Sequence, residues 1–374
     1  MKVPFVNYSL QYNNLKEEID SAIRRILESG DLILRQDVED FEKNLADSVG
    51  VKHAVALNSG TDALFFSLKV LGIGQGDEVI TVSHTFVASI SAIVQTGAAP
   101  VLVDVGEDYL MNMDLVEKAI TDLPAGRQEK LKAIIPVHLN GRMCNMERLT
   151  EIAKKYNLAI VEDSTQALGA ELNGRRAGSI GHTGCFSFYP AKILGCFGDG
   201  GALTTNNNDI ARKAKLFRDH GQLTKTSIEC FGWNSRLDNI QAAVLNIKMK
   251  YLPEWIKRRK EIAKEYSRGL ESVSGVRLPA AEGVFQNYVI KAEKRDELLE
   301  FLKDRGVETL IKDPVPTHWQ KGLNLSHFNL PVSERLAKEV ISLPMYPELT
   351  QEQVQYVISQ VKEFYPPPFN GGKK

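Results

Sequence analysis

The chain carries almost no excess charge. Its 46 lysines and arginines meet 47 aspartates and glutamates, a formal net charge of −1 over 374 residues. Without a field of one sign, nothing draws in nucleic acid or an anionic membrane, so a small ligand must be held by local groups. Cysteine is scarce as well. Cys144, Cys185, Cys196 and Cys230 show no C-x-x-C spacing and no histidine company, which argues against a structural zinc site and for a reduced interior. No metal is expected. No apolar run approaches the roughly 20 residues that span a bilayer. The opening Met1-Lys-Val-Pro-Phe-Val-Asn7 does not resemble a signal peptide, so a cytoplasmic protein is expected.

What is present is an alternation. Short apolar runs at 54–57, 78–82, 100–105, 133–137 and 158–161 read as buried strands, with helix patterns near 61–71, 86–96, 114–121 and 146–156 between them. That order predicts an α/β fold with a mostly parallel sheet, of the seven-stranded type, flanked by helices. Ligands collect at the carboxyl ends of such strands. After about residue 240 the pattern changes. Leu252 to Leu270 reads as one long amphipathic helix, 286–291 as a strand, and Asp296 to Gly306 as a helix closed by glycine. Thr350-Gln-Glu-Gln353 carries a capping-box pattern. The expected organisation is a large domain over 1–240, a smaller α+β domain over 241–366, and a loose tail over 367–374.

Several residues at the predicted strand ends can carry chemistry. Asn58-Ser-Gly-Thr-Asp62 stands between a strand and a helix, where Gly60 and Thr61 would suit a phosphate, or where the segment is a plain helix cap. Asp163 ends an apolar strand and can pair with a protonated ring nitrogen, or be a turn aspartate. Glu162 would face the opposite side of the sheet. Gln166 can reach a ring hydroxyl. Lys192 follows Ser187 in Ser187-Phe-Tyr-Pro-Ala-Lys192, an aromatic setting in which an amine loses its proton more readily. Phe86 can cover an aromatic ring or belong to the core, and Asn234 reads as a turn residue. His138 and His318 follow a strand and sit in a proline-flanked loop respectively, and His220 precedes a glycine turn. An amine, a carboxylate and a phosphate cradle together are the parts of a pyridoxal 5′-phosphate site.

In order and spacing these motifs resemble the DegT/DnrJ/EryC1/StrS aminotransferases, sugar aminotransferases of the type I aspartate-aminotransferase fold. The likeness covers roughly residues 3 to 362. It rests on Asn-Ser-Gly-Thr-Asp-Ala-Leu (58–64), Gly-Asp-Glu-Val-Ile (76–80), Glu162-Asp163 with Gln166, Ser-Phe-x-x-x-Lys (187–192), Gly-Asp-Gly-Gly (198–201), Asn-x-Arg-Leu (234–237) and Gln-Ala-Ala (241–243). The resemblance implies that Lys192 bonds the pyridoxal phosphate aldehyde and shuttles protons. It implies that Asp163 pairs with the ring nitrogen, Gln166 contacts the ring oxygen and Phe86 stacks on the ring. Gly60, Thr61 and Ser187 would hold the phosphate. Asn234 would reach the cofactor phosphate of a neighbouring subunit, making a homodimer with shared active sites.

Family dehydratases carry histidine where Lys192 stands, so transamination is expected. The substrates implied are a nucleotide-linked keto sugar, 3-keto favoured over 4-keto, and an amino acid donor, glutamate. Two departures stand out. Leu34-Arg35-Gln36 replaces a Gly-Pro turn, placing Arg35 near the expected substrate, and Asn140 takes a place often held by tyrosine. Either signals an acidic or otherwise unusual sugar, with His318 a further substrate candidate. Two rivals remain. A nucleotide-sugar oxidoreductase is opposed by the wrong glycine spacing of Gly72-Ile-Gly-Gln-Gly76. A non-catalytic binding or regulatory protein is opposed by the intact Lys192 and Asp163.

Overall fold

The computed structural model describes residues 1–366, so the tail expected over 367–374 lies outside the described residues. The short apolar runs form a seven-stranded sheet. Its order is His53–Leu57, Gly201–Thr205, Thr183–Ser187, Ala159–Asp163, Leu131–Ile134, Glu78–Val82 and Ala99–Val103. Gly201–Thr205 alone runs against its neighbours, and the remaining pairings are parallel.

Side-chain alternation explains why both faces are covered. Val55, Leu57, Cys185 and Leu203 pack on one side with Leu64, Phe66 and Leu68 of the helix Gly60–Val70. Ala54, Ala56, Phe186 and Ala202 pack on the other with Phe41 and Leu45 of the helix Gln36–Val49. Buried on both faces, the strands read as unbroken apolar runs. Because six of the seven point the same way, Asn58, Ser83, Asp163 and Ser187 gather at one edge.

The smaller body is a three-stranded antiparallel sheet, Val276–Arg277, Tyr288–Ala292 and Val340–Leu343, under the helices Leu252–Leu270, Arg295–Asp304 and Gln351–Phe364. Tyr266, Tyr288, Leu298, Ile341 and Val357 fill its core. The capping box forms as the sequence suggests: Thr350 Oγ1 accepts from the Gln353 amide at 3.2 Å, and Gln353 Oε1 accepts from the Thr350 amide at 3.1 Å.

The helix Asn239–Met249 packs on Tyr8–Ser29 and Gln36–Val49. One strand boundary differs from expectation. The strand expected from Gln286 starts at Tyr288, because Gln286 and Asn287 turn their side chains toward the large body. Among the described residues no helix is long and apolar enough to cross a membrane.

Candidate active site

Asp163 ends its strand with a buried carboxylate. Oδ2 accepts from Ser89 Oγ at 2.7 Å, and Oδ1 accepts from Thr165 Oγ1 at 2.7 Å and from the Thr165 amide at 3.2 Å. These are hydroxyl and amide donors. Among the described residues no cation pairs with Asp163, so its charge awaits a cationic partner. Phe86 lies three residues before Ser89 in the same turn, and Ser89 N–H donates to the Phe86 carbonyl at 3.3 Å. Phe86 is 57% exposed and so is not a core residue.

Glu162 turns to the other side, as alternation requires. It accepts from the amides of Gly178 (3.0 Å), Ile180 (2.6 Å) and Gly181 (2.6 Å), and from His138 Nε2 at 3.0 Å. Burial opposes its charge, but the His138 bond and these amides prevail and hold the carboxyl below its ordinary value. His138 Nδ1 accepts the Cys144 amide at 3.2 Å, which puts the ring proton on Nε2. His138 therefore does not touch substrate: it is buried scaffold beneath Asp163. We expect Glu162→Ala, which leaves His138 Nε2 and three amides without their acceptor, to cost at least about 1–3 kcal/mol, read as a lowered urea midpoint.

The turn before the helix Gly60–Val70 meets the end of Thr183–Ser187. Ser59 caps the helix, accepting the Asp62 amide at 3.0 Å, and leaves the Gly60 and Thr61 amides at the open end. A Cβ on Gly60 would stand 2.7 Å from Ser187 Cβ, so only glycine fits. Gly60, Thr61 and Ser187 thus share one helix N-terminus, a ready anion cradle.

Lys192 occupies the loop that leaves Ser187 and returns through Cys196, whose amide donates to the Phe188 carbonyl at 2.9 Å. Its ammonium has no hydrogen-bond partner, and burial, with Lys312 nearby and against the pull of Asp163, lowers its pKa to about 7. Close to neutrality such an amine is a nucleophile.

The DegT/DnrJ/EryC1/StrS aminotransferase family profile matches residues 13–362. The chain belongs to this family. A Streptomyces venezuelae protein, "dTDP-3-amino-3,4,6-trideoxy-alpha-D-glucose transaminase", is 43% identical over 97% of this chain and 96% of its own. A Geobacillus stearothermophilus protein named "Pleiotropic regulatory protein" is 41% identical over 98% and 99%. The S. venezuelae enzyme DesV, solved in complex with a ketimine intermediate, superposes with a TM-score of 0.93 at 41% identity, covering 98% of this chain and 99% of that one.

A DegT/DnrJ/EryC1/StrS aminotransferase implies pyridoxal phosphate, and the residues present fit it. A buried acid lacks a cation, an amine of lowered pKa lacks a partner, and a helix terminus is closed to anything larger than glycine at Gly60. Gln166 is buried with Oε1 accepting the Asn140 amide at 3.1 Å, which leaves its amide nitrogen for a ring oxygen. The rival dinucleotide reading fails on order, since Gly72 and Gly76 make turns leading from a helix into a strand.

Three further candidates have partners of their own. Arg35 caps the helix Gln36–Val49 and pairs at the surface with Asp31 at 3.2 Å. His318 is fully buried, its Nδ1 2.7 Å from Ser83 Oγ and its Nε2 3.2 Å from Glu334 Oε1. With both nitrogens engaged it ties two loops together. Asn234 is exposed, its backbone bridged to Asp219. Asn140, in the place of the usual tyrosine, adopts a left-handed φ of 58° and links Gln166 to Asn287.

Sequence reading missed Gln286. Its Oε1 accepts the Ile193 amide at 2.9 Å and its Nε2 donates to the Ala191 carbonyl at 2.8 Å, gripping the backbone on both sides of Lys192. Lys248 adds a bond to the Gly195 carbonyl at 2.6 Å. Neither carries a local signal, because both act across the fold.

Proposed function

We propose that this aminotransferase holds pyridoxal phosphate on Lys192 and exchanges an amino group between L-glutamate and the C3 ketone of a nucleotide-linked sugar. The carrying observation is the amine of Lys192, without a hydrogen-bond partner among the described residues and within electrostatic reach of the Asp163 carboxylate, which itself has no cationic partner there. When bound, the cofactor supplies an electron sink for the carbon that bears the amino group. Asp163 would keep the ring nitrogen protonated, its carboxylate fixed by Ser89 and Thr165. Gln166 would donate to the ring oxygen, Phe86 would cover the ring, and the Gly60–Thr61 amides with Ser187 would hold the phosphate. Lys192 would carry a proton to and from the carbon that bears the amino group, a positioned transfer worth roughly 10²–10⁴ in rate. The test is the reverse reaction: purified enzyme, 2-oxoglutarate and a panel of amino-sugar nucleotides. Glutamate should form with a 3-amino sugar. Turnover only with 4-amino sugars would overturn the C3 assignment.

The pKa of Lys192 sets a second expectation. Only the neutral amine attacks an aldehyde, so uptake of pyridoxal phosphate by the apo-protein should speed up as pH rises and level off above about 7. An ordinary lysine would keep gaining until about 10.4. Stopped-flow growth of the visible band reads this directly.

Asn234 is the candidate for a shared site in a homodimer. It stands beside the hairpin of Gln222–Thr224 and Ser227–Ile228, where Leu223 is 62%, Ile228 71% and Phe231 97% exposed. Such apolar surface calls for a partner, and a second copy would bring Asn234 to a neighbour's phosphate cradle. Phe231→Glu should yield a monomer by sedimentation, with weakened cofactor binding. A Phe231→Glu protein that remains dimeric would contradict this interface. Four free cysteines, three of them buried, suit a cytoplasmic setting. A regulatory role like that in the Geobacillus relative's name would not require an amine of lowered pKa at Lys192.

A further inference from the structure

The segment that leads into the middle strand of the three-stranded sheet is bonded to the lysine loop. Gln286, only 7% exposed, sets its side-chain amide between Ala191 and Ile193, with Oε1 on the Ile193 amide at 2.9 Å and Nε2 on the Ala191 carbonyl at 2.8 Å. One partner donates and the other accepts, so the side chain fits in a single orientation. Among the described residues no other side chain bonds the backbone of 191–193. The rest of the loop is held from the helix Asn239–Met249, by Lys248 at Gly195 and by Gln241 at the Phe197 amide at 2.8 Å. The next residue, Asn287, donates to Asn140 Oδ1 at 3.1 Å, and the Asn140 amide donates to Gln166 at 3.1 Å. One dipeptide is thus tied both to the residues flanking Lys192 and to the turn that holds Gln166.

Gln286 is itself firmly placed. Buried Arg259 of the long helix Leu252–Leu270 donates from Nη1 to the carbonyls of Phe285 at 3.1 Å and Met345 at 2.8 Å. Phe285 has a left-handed φ of 52°, a conformation that a bulky residue keeps only where its surroundings enforce it. Gly141 packs against this turn. A Cβ there would stand 2.8 Å from the nitrogens of both Phe285 and Gln286, and the Val284 amide donates to the Gly141 carbonyl at 3.0 Å. Filling space at this point needs only an apolar side chain, as the buried Val284 and Phe285 beside it show. A buried amide with both ends bonded around one residue does more, because it fixes where that residue stands.

We propose that Gln286 is a positioning residue, which sets Lys192 where its amine can reach the cofactor aldehyde and the carbon that bears the amino group. This rests on the transaminase reading above. Gln286 acts through the backbone on either side of Lys192, so its loss slows the steps that use the amine and leaves substrate affinity alone. A misplacement of about 1 Å can cost roughly 10²-fold in rate.

The experiment compares wild type with Gln286→Met, which keeps the length and loses both bonds. Thr350→Ala is the control, since it removes the cap of the helix Gln351–Phe364 and weakens the fold without touching the loop. In apo-protein, Gln286→Met should exchange the Ile193 amide hydrogen faster than wild type. With pyridoxal phosphate its visible band should grow roughly 10–100-fold more slowly. In loaded protein the half-reaction with L-glutamate, read as loss of that band, should slow by the same factor at saturation. The half-saturating glutamate concentration should stay within about twofold of wild type. Thr350→Ala should match wild type in all of these rates. Gln286→Asn, an amide too short to bridge both partners, replaces Gln286→Met should that variant not fold, with the same losses expected. Wild-type rates in the Gln286 variant, an Ile193 amide no faster to exchange, losses shared equally by Thr350→Ala, or a raised half-saturation at an unchanged rate each overturn the proposal. If wild type forms no visible band, or loses none of it with glutamate, the transaminase reading fails instead. If the band forms and reacts at the same rates in every variant, only the role of Gln286 fails.

Discussion

Lys192→Ala should abolish turnover and erase the visible absorbance of the cofactor bonded to the protein. The lysine supplies two things at once, the bond that holds the aldehyde and the base that moves the proton. Loss of the base alone costs roughly 10²–10⁴ in rate. Loss of the bond leaves the cofactor held by the Gly60–Ser187 cradle, Asp163 and Phe86 only. The fold should survive, because the Lys192 ammonium makes no hydrogen bond and the backbone is gripped independently by Gln286. Circular dichroism like that of wild type, with glutamate formation below detection, is the expected pair of results. Measurable turnover in the alanine variant would remove Lys192 from the chemistry.

Asp163→Asn should be the next most damaging change. Asparagine keeps the shape and can still meet Ser89 Oγ and Thr165 Oγ1, which stand 2.7 Å from the carboxylate. What disappears is the negative charge, and with it the reason for the ring nitrogen to stay protonated. Losing an electrostatic stabiliser of this sort costs roughly 10²–10³ in kcat. Folding stability should change less than for Glu162→Ala, since Ser89 and Thr165 keep a polar partner. A kcat within about twofold of wild type, measured under saturating donor and sugar, would show that Asp163 is only scaffold.

The two carboxylates mark how far sequence reasoning reaches. Strand alternation alone put Asp163 and Glu162 on opposite faces, and the structure agrees because that strand is buried between two helical layers. The sheet was legible for the same reason: strands covered on both faces leave continuous apolar runs. The cradle was legible as well, since cap, glycine and hydroxyl are neighbours in the chain. What stayed hidden depends on long-range packing. His138 looked like a residue at a strand end, yet the fold brings it under Glu162. His318 looked like a loop histidine open to substrate, yet Ser83 and Glu334 enclose it. Gln286 grips the backbone at Ala191, next to Lys192, from 95 residues away along the chain. No pattern of neighbours announces such residues, because only tertiary packing makes them neighbours.

The most direct test is to reduce the cofactor-loaded protein with borohydride, digest it and locate the tagged peptide by mass spectrometry. The tag should sit on the peptide containing Ser187-Phe-Tyr-Pro-Ala-Lys192, at Lys192 and nowhere else. A tag on Lys312 or Lys248, or no tag at all, would contradict the account.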